Sequence, residues 1–424
     1  MDILNRAEIA PGVFLSRITD ARFKQNRVSF CFLTRLGEET ASVNAVVPKI
    51  LTNSCRDYPD LRALNARLSA LYAARLTASV ANMGDDQCVM VEISVIDDRY
   101  ALEGEAVLNE GINILLGCVF DPLTDENGFF KESVTEIEKQ ACIDQIEAEL
   151  NEKRVYALNR AAEILCAGEP GAVRASGTVG GVRAVTPQTA FSAYKRLLET
   201  ARTEIFCGGG NAFSGVGETL AAAFKGVRRG EIGECGSKYS PLKPEPVVRT
   251  EKMDVNQSKM VVGFKTASTD LDALTVMTKI YGGSAASKLF ENVREKMSLC
   301  YYCMAKLQPL KGTVTAECGV ETENMEKARA EIINQLDLIK NGDFTDGELA
   351  HARLSLQNDL KTVNDKLSGI SLWYFVRIYQ RDAVTPEQMA ERYLAVTRER
   401  IIEAANSLSL DAVYILTEKD GGNE

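Results

Sequence analysis

Few residues in this 424-residue sequence can carry catalytic chemistry, and their scarcity is informative. There is one histidine, His351, within Glu348-Leu349-Ala350-His351-Ala352-Arg353. A catalytic zinc ion is held by two or three histidines or a His/carboxylate set, so one histidine excludes the ordinary zinc hydrolase. A serine or cysteine nucleophile needs only one histidine as its base. His351, however, lies in a charged helical pattern with no glycine-flanked nucleophile beside it, which predicts a helix-surface or helix-packing role. No Gly-x-Ser-x-Gly elbow, phosphate-binding loop or cysteine–histidine arrangement is present, and Gly208-Gly209-Gly210 lacks the lysine and hydroxyl residue of a nucleotide loop. Eleven cysteines, an odd number in a long chain, read as reduced thiols of a cytoplasmic protein. In the one close pair, Cys300-Tyr301-Tyr302-Cys303, an offset of three in a strand points the two thiols to opposite faces.

Two α+β domains must position whatever site exists. Four glycines before residue 240 and three prolines after it make 226–249 a linker between an N-terminal domain, 1–225, and a C-terminal domain, 250–424. Each half repeats one order of elements. In the first, a strand over 27–36 precedes helices from 42 and over 59–71, strands at 75–81 and 88–96 around the turn Asn82–Asp86, helices within 101–167, a helix over 187–200 and a strand at 203–207. In the second, a strand at 259–264 precedes helices near 269–280 and 285–297, strands at 300–306 and 312–319, further helices, and a strand at 412–416. Phe130, Val134, Ile137 and Ala141 predict one apolar helix stripe. Thr186 followed by Pro187 predicts a capped helix start. Paired strands with helices in blocks imply antiparallel-rich sheets with helices on one face.

The run Tyr281-Gly282-Gly283-Ser284-Ala285-Ala286-Ser287-Lys288-Leu289-Phe290, followed by Val293-Arg294-Glu295-Lys296-Met297-Ser298-Leu299-Cys300-Tyr301, resembles the C-terminal signature of the pitrilysin (M16) metallopeptidases. Gly177-Thr178-Val179-Gly180-Gly181-Val182 with Thr186-Pro187-Gln188-Thr189 is similar to a loop and capped helix of the same family. The resemblance implies two domains of the pitrilysin fold. It also implies that Arg294 and Tyr301 reach across a chamber to hold a peptide and polarise its scissile carbonyl. Arginine supplies a planar, always-charged fork and tyrosine a neutral donor for charge developing on that oxygen.

Active members carry His-x-x-Glu-His on the first helix, two histidines binding zinc and the glutamate activating water. The resemblance aligns that motif with Ala45-Val46-Val47-Pro48-Lys49, which puts Ala45 and Lys49 at the histidine positions and Pro48 at the general-base position. Alanine has no donor atom, and lysine repels a cation. The third ligand position falls on Gln145, in Glu138-Lys139-Gln140-Ala141-Cys142-Ile143-Asp144-Gln145-Ile146, or in a second alignment on Glu136, a residue expected to be solvated or ion-paired. Pro48 predicts a helix that starts or bends there. The resemblance therefore implies a chain that binds no zinc itself and has no stand-alone peptidase activity. It would be the silent subunit of a heterodimer with a zinc-bearing relative, binding a peptide substrate. The alternative is a structural or binding scaffold of the same fold. The net charge of −10 argues against nucleic acid or an anionic membrane as partner. The N-terminus lacks the pattern of a signal peptide and no stretch suggests a membrane span, so the expected location is the cytoplasm.

Overall fold

The computed structural model describes residues 4–211 and 213–419 and divides into two compact units, each built on one sheet. The first sheet contains β1 (Ala7–Ala10), β2 (Val13–Thr19), β3 (Gln25–Arg35), β4 (Arg75–Met83), β5 (Asp86–Ile96) and β6 (Arg202–Gly209) in the order β1-β2-β6-β3-β5-β4. The second contains β7 (Val247–Met253), β8 (Ser258–Lys265), β9 (Cys300–Gln308), β10 (Thr313–Val320) and β11 (Ser409–Glu418) in the order β7-β11-β8-β10-β9. With β1 set aside, the two orders match strand for strand. In each, the opening strand pairs parallel with the closing one, β2 with β6 and β7 with β11, and the remaining pairs are antiparallel. The repeated element order read in the sequence is thus a repeated topology.

Burial explains which strands are central. In β3, Val28, Phe30, Cys31, Phe32 and Leu33 are all buried, as expected for a strand covered on both faces. The edge strand β4 instead alternates exposed and half-buried positions. The turn between β4 and β5 is tighter than the sequence suggested, because Met83 already pairs with Asp86 and Gly84 takes a left-handed φ of 63°. The strands β1, β2 and β7 and the helix Val216–Phe224 were not anticipated, and β7 begins inside the expected linker.

The contact partition differs from a simple division into 1–225 and 250–424. Residues 148–172 belong to the second unit and 366–376 to the first. The helix Lys153–Leu165 buries Ala157 and Ala161 in one cluster with Val261, Tyr414 and Leu416. Its Leu165 lies against Gly263, where a Cβ would come within 2.8 Å of the leucine side chain. A composition shift marks where the chain lacks regular structure, not which sheet a preceding helix covers. In the first unit, Leu367 approaches Gly208, and Phe375 packs edge-on against Phe206 at 6.0 Å.

The expected apolar stripe is also corrected. The helix Glu132–Ala148 buries Thr135, Lys139, Cys142, Ile143 and Ile146, while Ile137 is 60% exposed and Ala141 is exposed. Phe130 is fully buried but precedes the helix, so it does not set that helix's face. The Thr186 start is borne out, as a reciprocal capping box with Thr189.

In the second unit the helix Leu271–Gly282 starts on Asp270, whose carboxylate accepts from the Ala273 N–H at 3.1 Å and from both Arg400 Nε and Nη2 at 2.9 and 2.8 Å. The Arg400 guanidinium holds this carboxyl below the usual range. A lowered folded-state pKa adds stability above the unfolded value, about 3.9, that is lost as pH falls through the folded value. Asp270→Ala should therefore cost about 1 kcal/mol at neutral pH. In urea melts the difference should shrink below roughly pH 4; a gap unchanged down to strongly acidic pH would contradict this account.

Candidate functional site

The helix Glu38–Leu51 carries the three positions aligned with a zinc motif. It does not start at Pro48 but at Glu38, and it runs through Pro48 to Leu51. Pro48 lacks the N–H that would bond the Asn44 carbonyl, a defect tolerated here only three residues before the helix ends. The helix is docked from outside by the Gly177-Thr178 loop. Gly177 has φ 71°, a Cβ there would collide with Ser42, and the Thr178 N–H donates to Ser42 Oγ at 3.1 Å.

Ala45 is 5% exposed and offers no side-chain donor atom; its carbonyl accepts from the Cys142 thiol at 3.8 Å. Lys49 stands one turn further on the same face, and its ammonium donates to Gln145 Oε1 at 3.1 Å. The structure thus brings positions 49 and 145 into contact. Glu136, the other candidate, is a half-exposed carboxylate paired with Lys139 at 2.6 Å. Asn53, just past the end of the motif helix, donates its side-chain amide to the Glu138 carboxylate at 2.8 Å, a second hydrogen bond to the facing helix. Burial pushes the Cys142 thiol up, and the neighbouring Lys49 charge partly opposes it.

These residues do not fit zinc. An ammonium occupies the reach of Gln145, no imidazole is present, and among the described residues no group of three or more His, Cys, Asp or Glu side chains could hold a metal ion. His351 is exposed on the helix Asp346–Val363, with Ser284, Leu354 and Ser355 beside it.

Arg294 and Tyr301 lie on adjoining elements of the second unit. The segment expected as an α-helix over 285–297 is a π-helix, Leu289–Lys296, closed by the Met297 N–H donating to the Asn292 carbonyl at 3.0 Å. Leu289 and Val293 are fully buried and pin it to the core. Arg294, next to Val293, is half-exposed; its guanidinium lies 4.5 Å from the centre of the Phe290 ring and 3.5 Å from the Glu295 carboxylate. The wider π-turn changes the direction of each side chain relative to α-helical spacing, so Arg294's aim could not be read from periodicity.

Tyr301 is 66% exposed near the start of the edge strand β9. The register explains why. Gly319 of β10 pairs with Tyr302 and Val320 pairs with Cys300, which leaves Tyr301 as the extra residue of a β-bulge. The same bulge overturns the expectation for the cysteine pair. Cys300 and Cys303 lie on the same face, both buried, and Cys303 is directly opposite Cys318. Period-two reasoning fails wherever one residue is left out of the ladder.

Together these features give two sheets of matching topology and, at the positions aligned with the zinc motif, no set of zinc donors. Residues 184–356 match the family model described as the Peptidase M16 inactive domain. Over its full length the chain is 27% identical to "Probable inactive metalloprotease YmfF" of Bacillus subtilis, the alignment covering all of both proteins. A solved structure described as a conserved protein from Enterococcus faecalis V583 superposes with a TM-score of 0.89 at 25% identity, covering 99% of this chain and 100% of that one. A protease from Helicobacter pylori shares the fold, with a TM-score of 0.79 at 13% identity over 98% of this chain and 99% of its own. The chain is thus similar to the M16 peptidases, over residues 184–356 to their inactive domain and over its full length to a probable inactive metalloprotease. Among the described residues no helix is long and apolar enough to cross a membrane.

Proposed function

We propose that this chain is the silent subunit of a two-chain cytoplasmic M16 peptidase, paired with a relative that carries His-x-x-Glu-His and zinc. One observation supports the reading above others. The positions aligned with zinc ligands hold an alanine, a lysine and a glutamine already bonded to that lysine, whereas Arg294 and Tyr301 remain solvent-accessible, presented by a π-helix and a bulge. Both irregularities cost regular backbone pairing, and such features cluster where a side chain must be aimed. In this division of labour the partner's zinc and glutamate attack the peptide bond. Arg294 and Tyr301 supply fixed donors for the oxygen on which charge develops.

The test is reconstitution. Purified chain, a zinc-bearing M16 relative from the same source and their mixture are compared for peptide cleavage and co-elution. The proposal expects a stable complex with turnover well above that of the relative alone. Co-elution without any gain in turnover would favour a scaffold role instead, and failure to associate would remove the pairing.

A further inference from the structure

The bulge that exposes Tyr301 also gathers buried thiols behind it. Cys300 and Cys303 share the face of β9 turned to the helices, and Cys318 of β10 lies directly across from Cys303. Cys303 is 2% exposed and Cys318 fully buried, whereas Cys300, at the strand's opening, keeps 8%. Because the bulge lets two steps of β10, from Val320 to Cys318, span the three from Cys300 to Cys303, the two cysteines are drawn together on that face. The neighbouring Cys303 thiol holds the Cys300 thiol below its ordinary range against the opposing effect of burial, and the nearby Arg294 guanidinium helps. The adjacent Cys300 thiol and burial drive Cys303 the other way. Cys300 is thus the more readily ionised of the two, and Cys303 beside it on the same face is placed to resolve a sulfenic acid formed there.

We propose that Cys300 and Cys303 form a reversible disulfide under peroxide, and that closing it re-aims Tyr301. The Cys300 thiolate attacks one peroxide oxygen and breaks the O–O bond. It becomes a sulfenic acid, and the departing hydroxide takes up a proton as water. The Cys303 sulfur then attacks the Cys300 sulfur, and the hydroxide displaced from it leaves as water with the Cys303 proton. Two thiols lose two electrons in all, and one peroxide is reduced to two waters. A disulfide draws its Cα atoms to roughly 4.4–6.8 Å, and here the loop it closes contains only Tyr301 and Tyr302. Contracting that loop must move Tyr301, the residue left out of the ladder. The disulfide itself stands on the bulge geometry alone; its regulatory consequence rests on the function proposed above.

Mass spectrometry separates the two claims. Trypsin releases 297–306, which contains both Cys300 and Cys303, apart from 312–327, which contains Cys318. After mild peroxide treatment of the full chain, peptide 297–306 should be lighter by two hydrogen atoms and should regain them on reduction. The Cys303→Ser variant should show no such species. A cross-link between the two peptides would mean Cys303–Cys318 is the reactive pair and would overturn the assignment, as would oxidation of Cys300 stopping at sulfinic acid. In the reconstituted complex, peroxide should lower turnover by about tenfold or more, and Cys303→Ser should be insensitive. A disulfide that forms while turnover is unchanged would overturn the gating and leave the dithiol. If the complex has no activity, the proposed function fails while the mass result still decides the chemistry.

Discussion

Histidine at positions 45 and 49 with glutamate at position 145 should give this chain a zinc ion that it cannot now hold. Positions 45 and 49 are one helical turn apart on the helix Glu38–Leu51, and residue 145 already touches residue 49 through the 3.1 Å Lys49–Gln145 hydrogen bond. Two imidazoles on one face and a carboxylate from the facing helix make a three-ligand site open to water. Replacing a repelling ammonium and two non-ligands by three donors should raise zinc affinity by on the order of 1,000-fold or more, about 4 kcal/mol. Calorimetric titration of the triple variant against the unaltered chain measures this. Because Ala45 is 5% exposed, the imidazole there must displace its neighbours, so a thermal melt should show some loss of stability before zinc and recovery with it. A folded triple variant with no zinc affinity would mean the three positions do not converge.

Arg294→Ala should lower the turnover of the reconstituted complex by about 100-fold, roughly the cost of removing one preorganised donor to a developing oxyanion, with co-elution unaffected. Tyr301→Phe removes only the hydroxyl of a residue that is 66% exposed, and its effect should be smaller. The kinetic split assigns the role. A fall in kcat with KM unchanged marks an interaction made only in the transition state, and a rise in KM alone marks peptide holding. Arg294→Lys should restore part of the rate, since it keeps the charge but loses the two-pronged geometry. The Phe290 ring under Arg294 gives the alanine variant no charged substitute, so unchanged turnover would make this chain a scaffold.

The lack of zinc donors at the aligned positions was legible in the sequence because it rests on chemical identity. One histidine, an alanine, a proline and a lysine at motif positions need no coordinates to be disqualified. Central strands such as β3 and β8 were visible as continuous runs of β-forming apolar residues, whereas β1, β2 and β7 were not assigned at all. The Lys49–Gln145 contact spans 96 positions in sequence, so only the fold could show it. The π-helix under Arg294 and the bulge at Tyr301 were invisible for a common reason. Each inserts a residue into a regular period, and pattern reading assumes the period holds. The same assumption placed Cys300 and Cys303 on opposite faces, whereas the apolar stripe failed because Phe130, which anchored it, precedes the helix Glu132–Ala148 and leaves Ile137 exposed.

The measurement that bears most directly on the whole account is zinc content together with peptide hydrolysis for the purified chain alone. With Ala45, Lys49 and Gln145 where donors would have to be, the chain should retain no stoichiometric zinc from zinc-supplemented medium and show no chelator-sensitive cleavage. One tightly held zinc per chain, with cleavage that a chelator abolishes and zinc restores, would contradict it.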